Sequence, residues 1–148
     1  MDALKILEAG LKAGASDIHL SAGQPPLVRV DGALVELPGF RALSAETCKS
    51  LLYSLLTEER RALFEERLEL DCAVVVPGLS RFRVNVMNQR GAVDGVLRAV
   101  PASVPPPESI GLGPLALSLV ERPQGLVLVT GPTGCGKSTT LAVLVDCI

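Results

Sequence analysis

The sequence predicts an α+β domain over residues 1–100 and, beyond a proline-rich stretch at 101–114, the opening strand, loop and helix of an α/β domain over 115–148. Three observations support this. Alternating apolar segments and helix-periodic segments share the first hundred residues. Five prolines fall between Pro101 and Pro114 with no periodicity, the signature of a linker. After it, an apolar run, a glycine-rich loop and a second apolar-periodic stretch follow in immediate succession.

In chain order, Leu4, Leu7 and Leu11 recur at helical spacing, with Gly14 placed to end a short amphipathic helix. In Ser16–Ser21, Ile18 and Leu20 alternate with polar residues and read as a strand; Asp17, His19 and Ser21 then share its other face. Leu27–Val30 and Ala33–Val35 flank Asp31-Gly32, a hairpin signal because these residues tolerate the positive φ of a tight turn. Ser44 caps a helix carrying Leu51, Leu52, Leu55 and Leu56, and Thr57 caps a second one running through Leu63, Phe64 and Leu68. Cys72–Val76, Arg81–Gln89 and Ala92–Val100 are strands, punctuated by Pro77-Gly78 and Gly91. Beyond the linker we expect a short helix over Leu115–Glu121. Leu126–Val129 should be a buried strand, and Leu141, Leu144, Val145 and Ile148 one face of a final helix.

Composition narrows the function classes. The chain is 48% hydrophobic and 20% charged, with mean hydropathy +0.40, which suits a packed core rather than disorder. A net charge of −2 provides no global basic field for nucleic acid, so anion binding must be local. The start of the chain lacks a charged leader with an apolar core, and the aliphatic runs are far too short to span a bilayer, so a cytoplasmic location is expected. Cys48, Cys72, Cys135 and Cys147 form no CxxC pair and read as reduced thiols.

Gly131-Pro132-Thr133-Gly134-Cys135-Gly136-Lys137-Ser138 meets the phosphate-loop pattern G-x-x-x-x-G-K-[ST] at every fixed position, between an expected strand and an expected helix. Glycines allow successive backbone amides to turn inward around phosphate oxygens at a helix N-terminus, whose dipole favours negative charge. In that scheme Lys137 bridges the β- and γ-phosphates of ATP, Ser138 contributes its hydroxyl to Mg²⁺, and Thr139 reaches the α-phosphate. Arg81 and Arg83 lie on one strand face and Arg98 on the following strand, so their guanidiniums either converge on an anion or form a solvated sheet face.

The chain resembles the retraction ATPases of type IV pili, within the superfamily of type II and type IV secretion ATPases. The resemblance rests on Gly14-Ala-Ser-Asp-Ile-His-Leu-Ser21, Pro25-Pro-Leu-Val-Arg-Val-Asp-Gly32, Arg81-Phe-Arg-Val-Asn85, Asn88-Gln-Arg-Gly91 and Gly125–Thr139. It implies a PAS-like N-terminal domain followed by the start of a RecA-like ATPase domain, in a cytoplasmic homo-hexamer at the inner-membrane face of the pilus machine. The implied partner is an inner-membrane platform protein, with only peripheral membrane association and no nucleic acid. Arg83 and Arg98 match the N-terminal-domain arginines that reach the nucleotide in this family, Arg81 being a third candidate. The loop departs from the family in carrying Cys135, where serine is usual. The family's catalytic glutamate and histidine motif match nothing up to Ile148, so the resemblance implies no catalytic residue here and no turnover by this chain alone. Pilus assembly or type II secretion motors, and a non-catalytic oligomerisation module, are the alternative readings.

Overall fold

The computed structural model describes residues 2–101, 103–132 and 135–148. The chain divides into two compact units, Met1–Val100 and Pro101–Ile148.

The first unit is built on six antiparallel strands. These are β1 (Asp17–Leu20), β2 (Leu27–Val30), β3 (Ala33–Glu36), β4 (Glu69–Val76), β5 (Ser80–Gln89) and β6 (Ala92–Val100), arranged in the order β3-β2-β1-β6-β5-β4. Three tight connections set most of the register. Asp31 and Gly32 both take positive φ, 48° and 83°, which joins β2 to β3 by the two-residue turn anticipated from Asp-Gly. Gly78, at φ 75°, lies between β4 and β5, and Arg90-Gly91, both at positive φ, join β5 to β6. The remaining pairing is long-range: β1 lies against β6, with Asp17 opposite Arg98 and Ile18 opposite Leu97.

Three helices, α1 (Ala3–Lys12), α2 (Ala45–Ser54) and α3 (Glu58–Arg67), share one core with the sheet. Alternation decides which strand residues enter it: Leu70, Val74 and Val76 of β4, Phe82, Val84 and Val86 of β5, and Val93 and Leu97 of β6 are buried. Two glycines permit close approach. A Cβ on Gly10 of α1 would lie 2.6 Å from Ile18 of β1, and one on Gly95 of β6 would lie 2.4 Å from Leu52 of α2. Ser44 and Thr57 cap α2 and α3 as anticipated, their hydroxyls accepting from Thr47 and Arg60 amides. Two details differ from expectation. The inward face of α1 is Ala3, Ile6, Leu7 and Gly10, leaving Leu4 exposed, because Gly10 sets the closest approach to β1. Leu68 does not continue α3; it ends the helix in the left-handed conformation at φ 60° and is exposed.

The second unit holds a 3₁₀ turn at Pro107–Ile110, the single helical turn α4 (Pro114–Leu117) and helix α5 (Lys137–Asp146). The helix anticipated over Leu115–Glu121 is thus shorter and one residue earlier, starting on Pro114, whose fixed φ suits a first helical position. Leu126–Val129, anticipated as a buried strand, forms no strand; Leu126 and Leu128 are 83% and 74% exposed. The physical reason is that a strand exists only against a neighbour, and no described segment pairs with this one. For the same reason Leu141, Val145 and Ile148 are exposed, and Val143 and Leu144 are the buried residues of α5.

Candidate functional site

The phosphate-loop residues lead into α5, whose first residue is Lys137. Thr133 and Gly134 lie outside the described residues. Gly131 and Gly136 take φ of 150° and 91°, conformations that a side chain disfavours, and a Cβ on Gly131 would come within 2.7 Å of Cys135 Sγ. Gly136 stands at the N-cap of α5 and supplies no side-chain acceptor, so the first-turn amides of the helix keep their donors available. The Lys137 ammonium folds back over the loop and donates to the carbonyls of Gly131 at 2.8 Å and Pro132 at 2.6 Å. The described part of the loop thus places an ammonium group beside the amino-terminal amides of α5. These residues fit a phosphate group. Ser138 and Thr139 are both exposed in the first turn of α5.

The second group of candidates lies on the sheet face opposite the helices. Arg83 of β5 and Arg98 of β6 are direct cross-strand partners, an arrangement in which like charges repel. Each relieves the repulsion by leaning away. Arg98 Nε donates to Asp17 Oδ1 of β1 at 2.7 Å. Arg83 turns the other way and chelates Asp71 of β4, with Nη2 2.6 Å from Oδ2 and Nε 3.1 Å from both carboxylate oxygens. Between the two pairs lies an open depression of about 280 Å³ lined by Asp17, Asp71, Arg83, Asn85, Val96 and Arg98. Arg81 occupies the same face of β5, opposite Val100.

The two pairs differ in their surroundings. The Asp17 side chain is 5% exposed and Arg98 66%, whereas Asp71 and Arg83 are 43% and 68% exposed. Burial opposes ionisation of Asp17. Hydrogen bonds from Arg98 and from the Ser16 hydroxyl, with the charge of Arg98, outweigh it and hold the carboxyl below its usual range. Arg29 adds a third cation, its Nε 3.7 Å from Asp17 Oδ2. Asp71 is also held low, by the Arg83 hydrogen bonds. His19, two residues along β1, has its Nε2 buried without a partner among the described residues. Burial, reinforced by the charge of Arg29, lowers its pKa against the pull of Asp17 and keeps the ring neutral at pH 7.

The structure therefore brings Arg83 and Arg98 together on one face. The residues that sequence reasoning missed are their carboxylate partners, Asp71 above all. The available signal was the alternation Glu69-Leu70-Asp71-Cys72, which sets Asp71 on the polar face of its strand. All four cysteines are free, and burial, helped by the charge of Asp94, pushes the Cys48 thiol up to about 12. Among the described residues no three His, Cys, Asp or Glu side chains cluster as metal ligands, and no helix is long and apolar enough to cross a membrane.

The loop pattern at the start of α5 and the paired arginines of the sheet lie in a chain that falls within one family. Residues 2–148 match the model of the type II/IV secretion system proteins, and the chain belongs to that family. Among its relatives, the type IV pilus retractation ATPase PilT of Pseudomonas aeruginosa is 45% identical over 148 residues, 99% of this chain. The type IV pilus ATPase PilU of the same organism is 33% identical over 98% of this chain. A crystal structure of the pilus retraction motor PilT with bound ADP superposes with a TM-score of 0.88 at 44% identity, covering 99% of this chain and 43% of that one. The ATPase DotB of Legionella pneumophila superposes with a TM-score of 0.80 at 27% identity, covering 98% of this chain and 42% of that one. The chain spans 42% of the Pseudomonas PilT and 38% of PilU.

Proposed function

We propose that this chain is the ATP-binding part of a hexameric motor that powers type IV pilus retraction and twitching motility. The observation that carries the reading is the 45% identity to the Pseudomonas retraction ATPase along 99% of the chain. The assembly ATPase PilB of Myxococcus xanthus, at 34% identity over 92% of the chain, is the more distant relative, which favours retraction over assembly. In this reading residues 1–100 are the PAS-like domain, 101–114 the linker, and 115–148 the start of the RecA-like domain. The motor works as a homo-hexamer in the cytoplasm, against a platform protein of the inner membrane.

The residues of Gly131–Gly136 other than Pro132 supply backbone donors to the phosphates, with Cys135 as a small tolerated side chain at a variable position of the loop. The Lys137 ammonium, now on the loop carbonyls, transfers to the β- and γ-phosphate oxygens. Ser138 offers its hydroxyl to Mg²⁺, and Thr139 contacts the α-phosphate. Bound Mg²⁺ would neutralise phosphate charge. Arg83 and Arg98 are the cations that the first unit contributes to phosphate binding.

The test uses the full-length protein. Lys137→Ala is expected to abolish ATP binding, and Arg83→Ala and Arg98→Ala to lower the ATPase rate at least tenfold with circular dichroism unchanged. Wild-type rates in both arginine variants would return those side chains to the role of a solvated sheet face.

A further inference from the structure

Arg83 and Arg98 face each other across two strands, yet their carboxylate partners differ in a way that the proposed phosphate contact does not explain. Asp17 sits in the sheet interior, almost wholly covered. Besides Arg98, it accepts the Ser16 hydroxyl at 2.8 Å and has Arg29 close by. Withdrawing Arg98 would leave a buried carboxylate without its strongest partner, a costly state. Asp71 is exposed, on the edge strand β4, and Arg83 is its sole hydrogen-bonded partner among the described residues. Withdrawing Arg83 would return both groups to water at little cost.

The Asp71–Arg83 contact also uses the guanidinium edge that an anion needs. Nε and Nη2 together chelate the carboxylate, the same two-donor fork with which arginine grips phosphate. Asp71 therefore competes with a phosphate for one set of donors, whereas among the described residues Arg98 engages Asp17 through Nε and makes no hydrogen bond through its terminal amino groups.

Resting on the assignment of Arg83 to the nucleotide, we propose that Asp71 is an internal counter-ion that holds Arg83 aside and is displaced by the nucleotide's phosphate. Arg98 meets the phosphate while still anchored to Asp17. Asp71 is a positioning residue, acting through Arg83. The pair fixes the position of the guanidinium in the absence of nucleotide, and the exchange of carboxylate for phosphate raises the nucleotide concentration needed for binding.

The experiment titrates fluorescent ATP and ADP analogues into the full-length protein and its variants, with steady-state ATPase kinetics alongside. Because an exposed ion pair is weak, Asp71→Asn is expected to tighten binding by about two- to five-fold and to lower KM for ATP by the same factor. Asp71→Glu should restore wild-type values. In an Arg83→Ala background, which itself binds more weakly, Asp71→Asn should change nothing. Weaker or unaltered binding in Asp71→Asn, with Arg83→Ala weakened, would overturn the competition and leave Arg83 on the phosphate. Unaltered binding in Arg83→Ala, with Lys137→Ala still defective, would instead remove the assignment on which the competition rests.

Discussion

Asp17 makes the sharpest demand of any single residue in the first unit. Its carboxylate is covered, receives two hydrogen bonds and ties β1 to β6 across 81 residues of sequence. Hydrogen bonds to charged groups contribute about 1.5–3 kcal/mol each, and here the exposure of Arg98 moderates the loss. Asp17→Asn is therefore expected to destabilise the unit by about 1–3 kcal/mol at pH 7, measured by urea unfolding. The pH dependence follows from the direction of the shift. A carboxyl lower in the folded state than its unfolded value of about 3.9 contributes fully above that value and loses its contribution as pH falls through the folded pKa. The gap between wild type and Asp17→Asn should close below about pH 4, and a gap of constant size down to pH 2 would contradict the ion-pair account.

At the scale of elements, the sites of closest packing are glycines. Gly95 lets α2 rest on β6, and Leu52, against which a Cβ would press, is itself fully buried. Gly95→Ala is expected to cost about 1–3 kcal/mol through overpacking, seen as a lower urea midpoint with an unchanged m-value. Elements with local chemistry were readable in advance: the Asp31-Gly32 turn, the Ser44 and Thr57 caps and the alternation of β4, β5 and β6 each depend on a few adjacent residues. What escaped the sequence is non-local. Alternation says which face of a strand is buried but not which strand lies beside it, so the β1–β6 pairing, and with it the Asp17–Arg98 contact, was not legible. Asp71 escaped for the same reason: its meaning depends on a diagonal neighbour on β5. The pattern of the phosphate loop is contained in eight adjacent residues, whereas Leu126–Val129 misled because an apolar β-branched run specifies a strand only when a partner is present.

For the whole molecule, the two units stand in contrast. The buried cluster that closes around Phe82 and Leu97 lies entirely within residues 1–100, while the second unit buries only Val143 and Leu144 among its described hydrophobic residues. Phosphate-loop motors hold the loop on the end of a strand set in a sheet, and here Leu126–Val129 has no such support from the described residues. The 148-residue chain alone is accordingly expected to bind nucleotide weakly and not to turn it over. Phosphate release assays with Mg²⁺ and ATP check this, and steady hydrolysis abolished by Lys137→Ala would refute it.

The segment from Leu126 to Thr130 has a consequence outside catalysis. It is five residues of Leu, Val and Thr with no charge and no proline, and its leucines stand in water. Such a stretch satisfies its backbone equally well against a copy of itself, stacking edge to edge into intermolecular cross-β ladders. Left uncovered, it makes colloidal behaviour the first property of this chain to fail as its concentration rises, while the sheet of the first unit stays folded.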